Sequence, residues 1–195
     1  MKVLILADQC NPEWPSLPLV GYKASLEISK IVDAVIVTHI RNKENIERNG
    51  FGNAEVIFID NEYIAKPVHK LSKFIRGNEG GWTIAMALAY PSYLAFEWEA
   101  WKTLKHRIIA GEFDVIHRVT PMSPTLPSFM ASKTKVPFVL GPLNGGLKWP
   151  AEFSNERKKE REWLSSIRKA YKLLPYKKST ITNSKAILAS FEHTI

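Results

Sequence analysis

The stretch Phe113–Phe153, FDVIHRVTPMSPTLPSFMASKTKVPFVLGPLNGGLKWPAEF, constrains the fold more than any other part of the 195-residue chain. Two apolar runs of strand length, Phe113–Val119 and Val136–Leu140, flank a segment of helix length, and each run ends in a polar loop marked by Pro or Gly. Strands joined in this way form a βαβ unit. They run parallel, and a right-handed crossover places both carboxyl ends at one edge of the sheet. Ligands of open parallel sheets bind in the crevice outside those ends. The unit therefore brings His117, Arg118 and Thr120 near Asn144, Gly145 and Gly146, and this polar, glycine-lined cluster is the first candidate site.

The rest of the chain repeats the pattern. Lys2–Ala7 is nearly all apolar, as a central parallel strand covered on both faces should be. Further strands are expected at Ala34–Ile40, Glu55–Asp60 and Thr180–Thr182. Apolar spacing predicts helices through Val20, Ala24, Ile28 and Ile31, and through Ile64, Val68, Leu71 and Ile75 with Pro67 near the first turn. A long helix is expected after Pro91, with Leu94, Trp98, Trp101, Leu104 and Ile108 as its buried stripe. A basic helix follows, with Trp163, Ile167, Ala170 and Leu174 as its buried stripe, stopped by Pro175. Arg41–Asn49 suits a short helix, and Ser123-Pro124-Thr125 opens a crossover helix that ends near Lys133. Asn183 or Ser184 can cap a terminal helix that reaches Phe191. The expected fold is one α/β domain over residues 1–195: a Rossmann-like parallel sheet of about six to seven strands with helices on both faces.

Several classes of function fall away. Cys10 is the only cysteine, so no internal disulfide framework exists, which fits a reducing compartment. The apolar run at the N-terminus ends at Asp8, too short for a signal peptide, and the chain reads as cytoplasmic. The 15 residues 82–96, WTIAMALAYPSYLAF, fall short of the ~20 that span a bilayer. They suit a buried helix, or an interfacial surface that receives a lipid-linked acceptor. No CxxC, HExxH, GxxxxGK[ST] or GxSxG occurs, and GxGxxG is missing after the first strand. Hydride transfer and ATP hydrolysis are therefore poor readings. The five histidines are scattered, so no metal is expected.

The formal net charge is +8, and residues 155–178 hold nine Lys or Arg against three Glu. A solvated helix face explains this, and so does peripheral contact with an anionic membrane, at about 1 kcal/mol per well-placed cation. Nucleic acid is not expected as a partner, because no recognised nucleic-acid module accompanies the charge.

Individual residues offer paired readings. His117 titrates in the range that lets it orient a hydroxyl, or it is a satisfied structural histidine. His39, at the end of the second strand, faces the cleft or is structural in the same way. Arg118 is a fixed cation suited to phosphate or carboxylate, yet strand alternation sends it to the face opposite His117. The amide of Asn144 both donates and accepts, which suits a sugar hydroxyl. Gly21 lets a phosphate approach a helix N-terminus, or it serves packing or a cap.

Asp114-Val-Ile-His-Arg followed by Pro137-Phe-Val-Leu-Gly-Pro-Leu-Asn-Gly-Gly resembles the N-terminal half of a family 4 glycosyltransferase, and the likeness extends more faintly over residues 1–190. Those enzymes have the GT-B architecture of two facing Rossmann-like domains. The Gly-Pro-x-x-Gly-Gly loop ahead of Trp149-Pro150 resembles a subgroup that builds polysaccharides and glycoconjugates. The resemblance implies transfer from a nucleotide-sugar donor to a glycan or lipid-linked acceptor, retaining and metal-independent, with no other cofactor. It makes His117 catalytic, places Arg118, Thr120, Asn144, Gly145 and Gly146 on the acceptor, and sets Gly21 against the donor diphosphate. Two departures stand out. Many relatives carry a second histidine where this chain has Val119, and their Gly-rich turn after the first strand is reduced here to Gly21. The family's C-terminal donor domain has no counterpart in these 195 residues, so the chain alone is expected to be inactive or nearly so. The rivals are a non-catalytic sugar- or nucleotide-binding module and a basic domain for membrane surfaces or nucleic acid.

Overall fold

A computed structural model describes residues 1–76, 82–145 and 173–190. Gly146, Trp149-Pro150, residues 155–172 of the basic window and Phe191 lie outside the described residues. In chain order the elements are β1 (Lys2–Ala7), α1 (Leu17–Ser29), β2 (Asp33–His39), α2 (Lys43–Asn49) and β3 (Glu55–Ile59). Next come α3 (Glu62–Arg76), α4 (Trp82–Ile109), β4 (Val115–Thr120), α5 (Met130–Lys133) and β5 (Phe138–Leu143). The last two are α6 (Lys177–Asn183) and β6 (Ser184–Ala189).

The six strands are all parallel, in the order β3-β2-β1-β4-β5-β6. The fold is therefore the expected α/β one, a Rossmann-like sheet flanked by helices. The chain winds outward from β1 to β3, then returns to lay β4 on the other side of β1. That reversal creates a switch point between β1 and β4, where two consecutive loops leave in opposite directions and a crevice opens.

Alternation along β1 divides the core in two. Val3, Ile5 and Ala7 pack with Ala34, Ile36, Tyr22, Phe51 and Val119 on the α1 side. Leu4 and Leu6 pack with Val35, Val37, Phe96, Ala100 and Leu104 on the α4 side. At the amino ends of the strands, Arg107 makes paired hydrogen bonds to Glu55 (2.7 and 2.8 Å) and to Glu112 (2.8 and 2.6 Å). Lys2 joins this ring through Glu112, at 2.9 Å.

Five expectations need correction. First, α4 runs straight through Pro91, and α3 through Pro67. Both prolines lie on exposed positions, so each removes one N–H without driving its ring into the core. Second, the buried stripe of α4 is Tyr93, Phe96, Glu97, Ala100, Leu104 and Ile108, while Trp98 is 44% exposed. Val20, Ile31 and Leu71 are likewise exposed rather than buried.

Third, the crossover helix does not start at Ser123. Residues 121–129 are irregular, and only Met130–Lys133 is helical. Pro127 is the cause: it lacks an N–H and disfavours the helical conformation at Leu126. Fourth, β5 extends to Leu143 and takes in Gly141 and Pro142, which the sequence suggested were loop. Gly141, at φ 122°, lets the strand pass so close to β6 that an added Cβ would lie 2.2 Å from the Leu188 carbonyl oxygen.

Fifth, the end of the described chain is a helix followed by a strand, the reverse of the expectation. The run Ala186-Ile187-Leu188-Ala189 forms β6 because β5 offers it a free edge, with Leu140 opposite Ile187 and Leu143 opposite Ala189. Thr180 and Asn183 are held in α6 by the crossover: the Ser128 N–H donates to Thr180 Oγ1 (2.7 Å) and Asn183 Nδ2 to the Ala131 carbonyl (3.0 Å). Tertiary partners outrank the local capping signal. Among the described residues, no helix is long and apolar enough to cross a membrane.

Candidate functional site

The crevice at the switch point is lined by Gln9 and Ser16 from the loop after β1, Leu17 from α1, Pro121, Met122 and Ser123 after β4, and Asn144 after β5. Its volume is about 160 Å³. Hydrogen bonds draw its walls together. Thr120 Oγ1 accepts from the Gln9 N–H (3.0 Å) and donates to the Gln9 carbonyl (3.1 Å), which stitches β4 to the β1 loop. The Asn144 N–H donates to the Met122 carbonyl (2.7 Å), tying the β5 loop to the β4 loop.

The loop after β1 is braced by a buried amide relay. Asn42 Nδ2 donates to the Asp8 carbonyl (2.9 Å) and to Thr38 Oγ1 (2.8 Å), and Asn42 Oδ1 accepts from Asn11 Nδ2 (3.2 Å). Asn11 in turn accepts from the Glu13 N–H (3.0 Å), while its own N–H donates to the Pro18 carbonyl (2.9 Å). A loop whose buried polar groups are paired in this way has few alternative conformations.

The residues singled out in the sequence take distinct places. Asn144 is exposed and lines the crevice. Thr120 is fully buried in the seam beneath it. Gly145 is half-buried beside Pro124 with φ at 132°, and Gly146 lies outside the described residues. Gly21 is buried in the second turn of α1, where an added Cβ would lie 2.1 Å from the Gln9 carbonyl oxygen and 2.8 Å from Thr120 Cγ2. Protein atoms fill the space its missing side chain leaves.

His117 is buried, and its Nε2 lies 2.6 Å from the Gly141 carbonyl. A carbonyl can only accept, so Nε2 carries the proton. Burial lowers the pKa of the ring below 6.5, and the Gly141 contact opposes that only in part, so the imidazole is neutral at pH 7. Replacing His117 by Phe should leave the Gly141 carbonyl unpaired and cost about 1–3 kcal/mol in urea denaturation. A loss below about 0.5 kcal/mol would mean that water restores the bond.

Arg118 points the other way. It is 0% exposed, its guanidinium carbon lies 5.7 Å from the centre of the Tyr93 ring, and it backs the crevice wall without lining it. His39 is also buried: Nδ1 accepts from the Arg41 N–H (3.0 Å), and Nε2 lies 3.7 Å from Glu62.

Two crevice residues carry no sequence motif: Gln9 and Ser123 are single polar residues in loops. Asp8, just after β1, does not line the crevice; burial, opposed by the Arg41 guanidinium and reinforced by the Glu97 carboxylate, pushes its carboxyl up to about 7. A carboxyl with that pKa can take or give a proton near neutrality. Among the described residues, no three His, Cys, Asp or Glu side chains gather where they could hold a metal ion.

The fold and crevice define the class: an α/β protein with a Rossmann-like sheet and, at its switch point, a small crevice lined among the described residues by amides and hydroxyls beside apolar Leu17, Pro121 and Met122. No protein-family model matches the chain, and no curated protein matches it.

Proposed function

We propose that the chain is the acceptor-side domain of a nucleotide-sugar-dependent, retaining glycosyltransferase that extends a polysaccharide or a lipid-linked glycan. The observation that carries this reading is the lining of the switch-point crevice. Two amides (Gln9, Asn144) and two hydroxyls (Ser16, Ser123) stand beside apolar Leu17, Pro121 and Met122. A sugar ring presents hydroxyls at its edge and C–H groups on its faces, so amides and hydroxyls next to apolar surface match both.

Size and charge point the same way. Sites for drug-sized ligands run to about 300–1,000 Å³, so a crevice of about 160 Å³ suits a single ring rather than a whole nucleotide-sugar. No Lys or Arg is among the described lining residues, so none of them offers a diphosphate a cation. In this reading the donor is held mainly by a second domain, and His117 braces the seam between β4 and β5 rather than exchanging a proton through Nε2.

The test is an NMR titration of the isotope-labelled chain with a panel of neutral methyl glycosides and nucleotide-sugars. Shifts at Gln9, Ser123 and Asn144 are expected with at least one glycoside, together with no sugar transfer by the chain alone. Asn144→Ala should weaken that binding at least tenfold while changing stability by less than about 0.5 kcal/mol, as an exposed site allows. No response to any glycoside would defeat the acceptor reading, and turnover by the chain alone would defeat the split between two domains. Nucleotide-sugar binding in the crevice without transfer would favour a non-catalytic binding module.

A further inference from the structure

Residues 121–129 form an irregular segment, yet seven of the nine are buried. Connecting loops normally lie at the surface, because their backbone polar groups need water. Here they find one buried and one half-buried cation instead. Arg118 Nη1 donates to the Leu126 carbonyl (2.6 Å) and Nη2 to the Ser123 carbonyl (3.3 Å). Lys177 Nζ, from α6, donates to the Pro124 carbonyl. Two of these carbonyls, those of Ser123 and Leu126, belong to peptide bonds that precede Pro124 and Pro127. Such peptides have no N–H, so they cannot join a helix or a ladder in the usual way.

Glu97 holds the other end of the segment. It is 0% exposed and accepts from the Ser128 hydroxyl (2.6 Å), the Met130 N–H (3.0 Å) and the Tyr93 hydroxyl (2.5 Å). Tyr93 presents its ring face to Arg118, which links the buried acid to the buried base. A buried pair of this kind contributes little net stability, but it strongly restricts geometry when its hydrogen bonds are made.

We infer that Arg118 and Glu97 are positioning residues for the crevice, acting from behind its wall: they fix the backbone that presents Pro121, Met122 and Ser123 to a ligand and anchors Asn144 through the Met122 carbonyl. This rests on the reading of the crevice as the ligand site. Lysine cannot reproduce the two divergent bonds of the guanidinium, since it is a point charge rather than a planar fork.

The experiment is amide hydrogen exchange on the whole chain, followed by NMR, for wild type, Arg118→Lys, Arg118→Met and Glu97→Gln. In Arg118→Lys the Asn144 amide should exchange at least tenfold faster, while the amides of Leu4, Ile5 and Ile36 keep their wild-type rates. In Glu97→Gln the first to accelerate should be Ser128 and Met130. A merely structural role would raise exchange across the whole sheet by one factor, and that outcome overturns the inference. So does an unchanged Asn144 rate in folded Arg118→Lys. Should Arg118→Met not fold, the other two variants decide.

A second arm repeats the methyl glycoside titration, where Arg118→Lys should weaken binding at least tenfold. If the wild type binds no glycoside, the functional reading falls, and the exchange data still settle whether Arg118 positions the wall.

Discussion

Gly21→Ala should destabilise the protein by about 3 kcal/mol or more, which lowers Tm by about 6–12 °C for a chain of this size. The new Cβ would meet the Gln9 carbonyl oxygen at 2.1 Å, far inside van der Waals contact, and Thr120 Cγ2 at 2.8 Å. The first of these is backbone, and it cannot turn aside. Gln9 is bonded through its own N–H and carbonyl to Thr120, so the seam between β1 and β4 would have to open, or α1 would have to tilt off the sheet. A tilt of α1 would also disturb the contact of Tyr22 with Phe51, whose ring centres lie 4.8 Å apart. Urea and thermal denaturation measure the loss. A cost below about 1 kcal/mol would show that α1 retreats freely and that close packing is not what Gly21 provides. The same substitution should weaken glycoside binding, because Gln9 and Leu17 stand on opposite sides of the contact and both line the crevice.

The second large effect is a gain. Asp8→Asn should stabilise the protein at pH 8 by about 2–4 kcal/mol and leave its stability at pH 3.5 nearly unchanged. The Asp8 carboxyl is raised from 3.8 to about 7 in the folded protein, chiefly by burial. Below its unfolded value both states hold the proton, and the group exacts no cost. As pH rises through the interval the unfolded chain ionises first, so wild-type stability falls until the folded carboxyl also ionises near pH 7. Asparagine removes that slope. Asp8 is only half-buried, so solvent access places the gain below the full separation of the two values.

The histidines act in the opposite sense. Burial lowers the pKa of both His39 and His117, so their contribution is complete above the unfolded value of 6.5 and is lost as the pH falls from there through their lower folded values. Comparing variant with wild type at each pH cancels them. Chemical denaturation at pH 3.5, 5, 6, 7 and 8 supplies the curve. A difference that does not change with pH, or a loss at pH 8, would mean that folding does not raise the pKa of the Asp8 carboxyl.

How legible all this was from the sequence depended on the kind of signal. Lys2–Ala7, the strand at Ala34 and the strand ending in Val119 are largely apolar segments of strand length rich in Val and Ile, bounded by turn residues, and such segments point to parallel strands. Alternation correctly separated His117 from Arg118. The order of α6 and β6 was hidden, because the four-residue apolar run Ala186–Ala189 fits a helix or a strand equally well until a partner edge is known. Pro127 was visible and, buried where Pro67 and Pro91 are exposed, does disfavour the long crossover helix, but Ser123-Pro124 reads locally as a good helix start.

Glu97 had no signal at all. In a helix rich in Glu and Lys, a charged position looks like one more solvated residue. Its burial follows only from the approach of Ser128 and Met130, more than thirty residues away along the chain. Asp8 was hidden for a related reason: its environment is set chiefly by burial and then by Arg41 and Glu97, none of which the sequence can place around it. Asn144 was legible because it follows a strand in a Gly-Pro loop, and that is where a parallel sheet opens to ligands.

The ring around Arg107 at the amino ends of the strands has a practical consequence. Because all six strands run the same way, everything bound at their carboxyl ends faces away from that ring, and Met1, which is 71% exposed, sits beside it. A biotin joined to the N-terminus would tether the protein by its ion-paired base with the crevice on the side away from the support, so immobilised molecules would present it to ligands in solution.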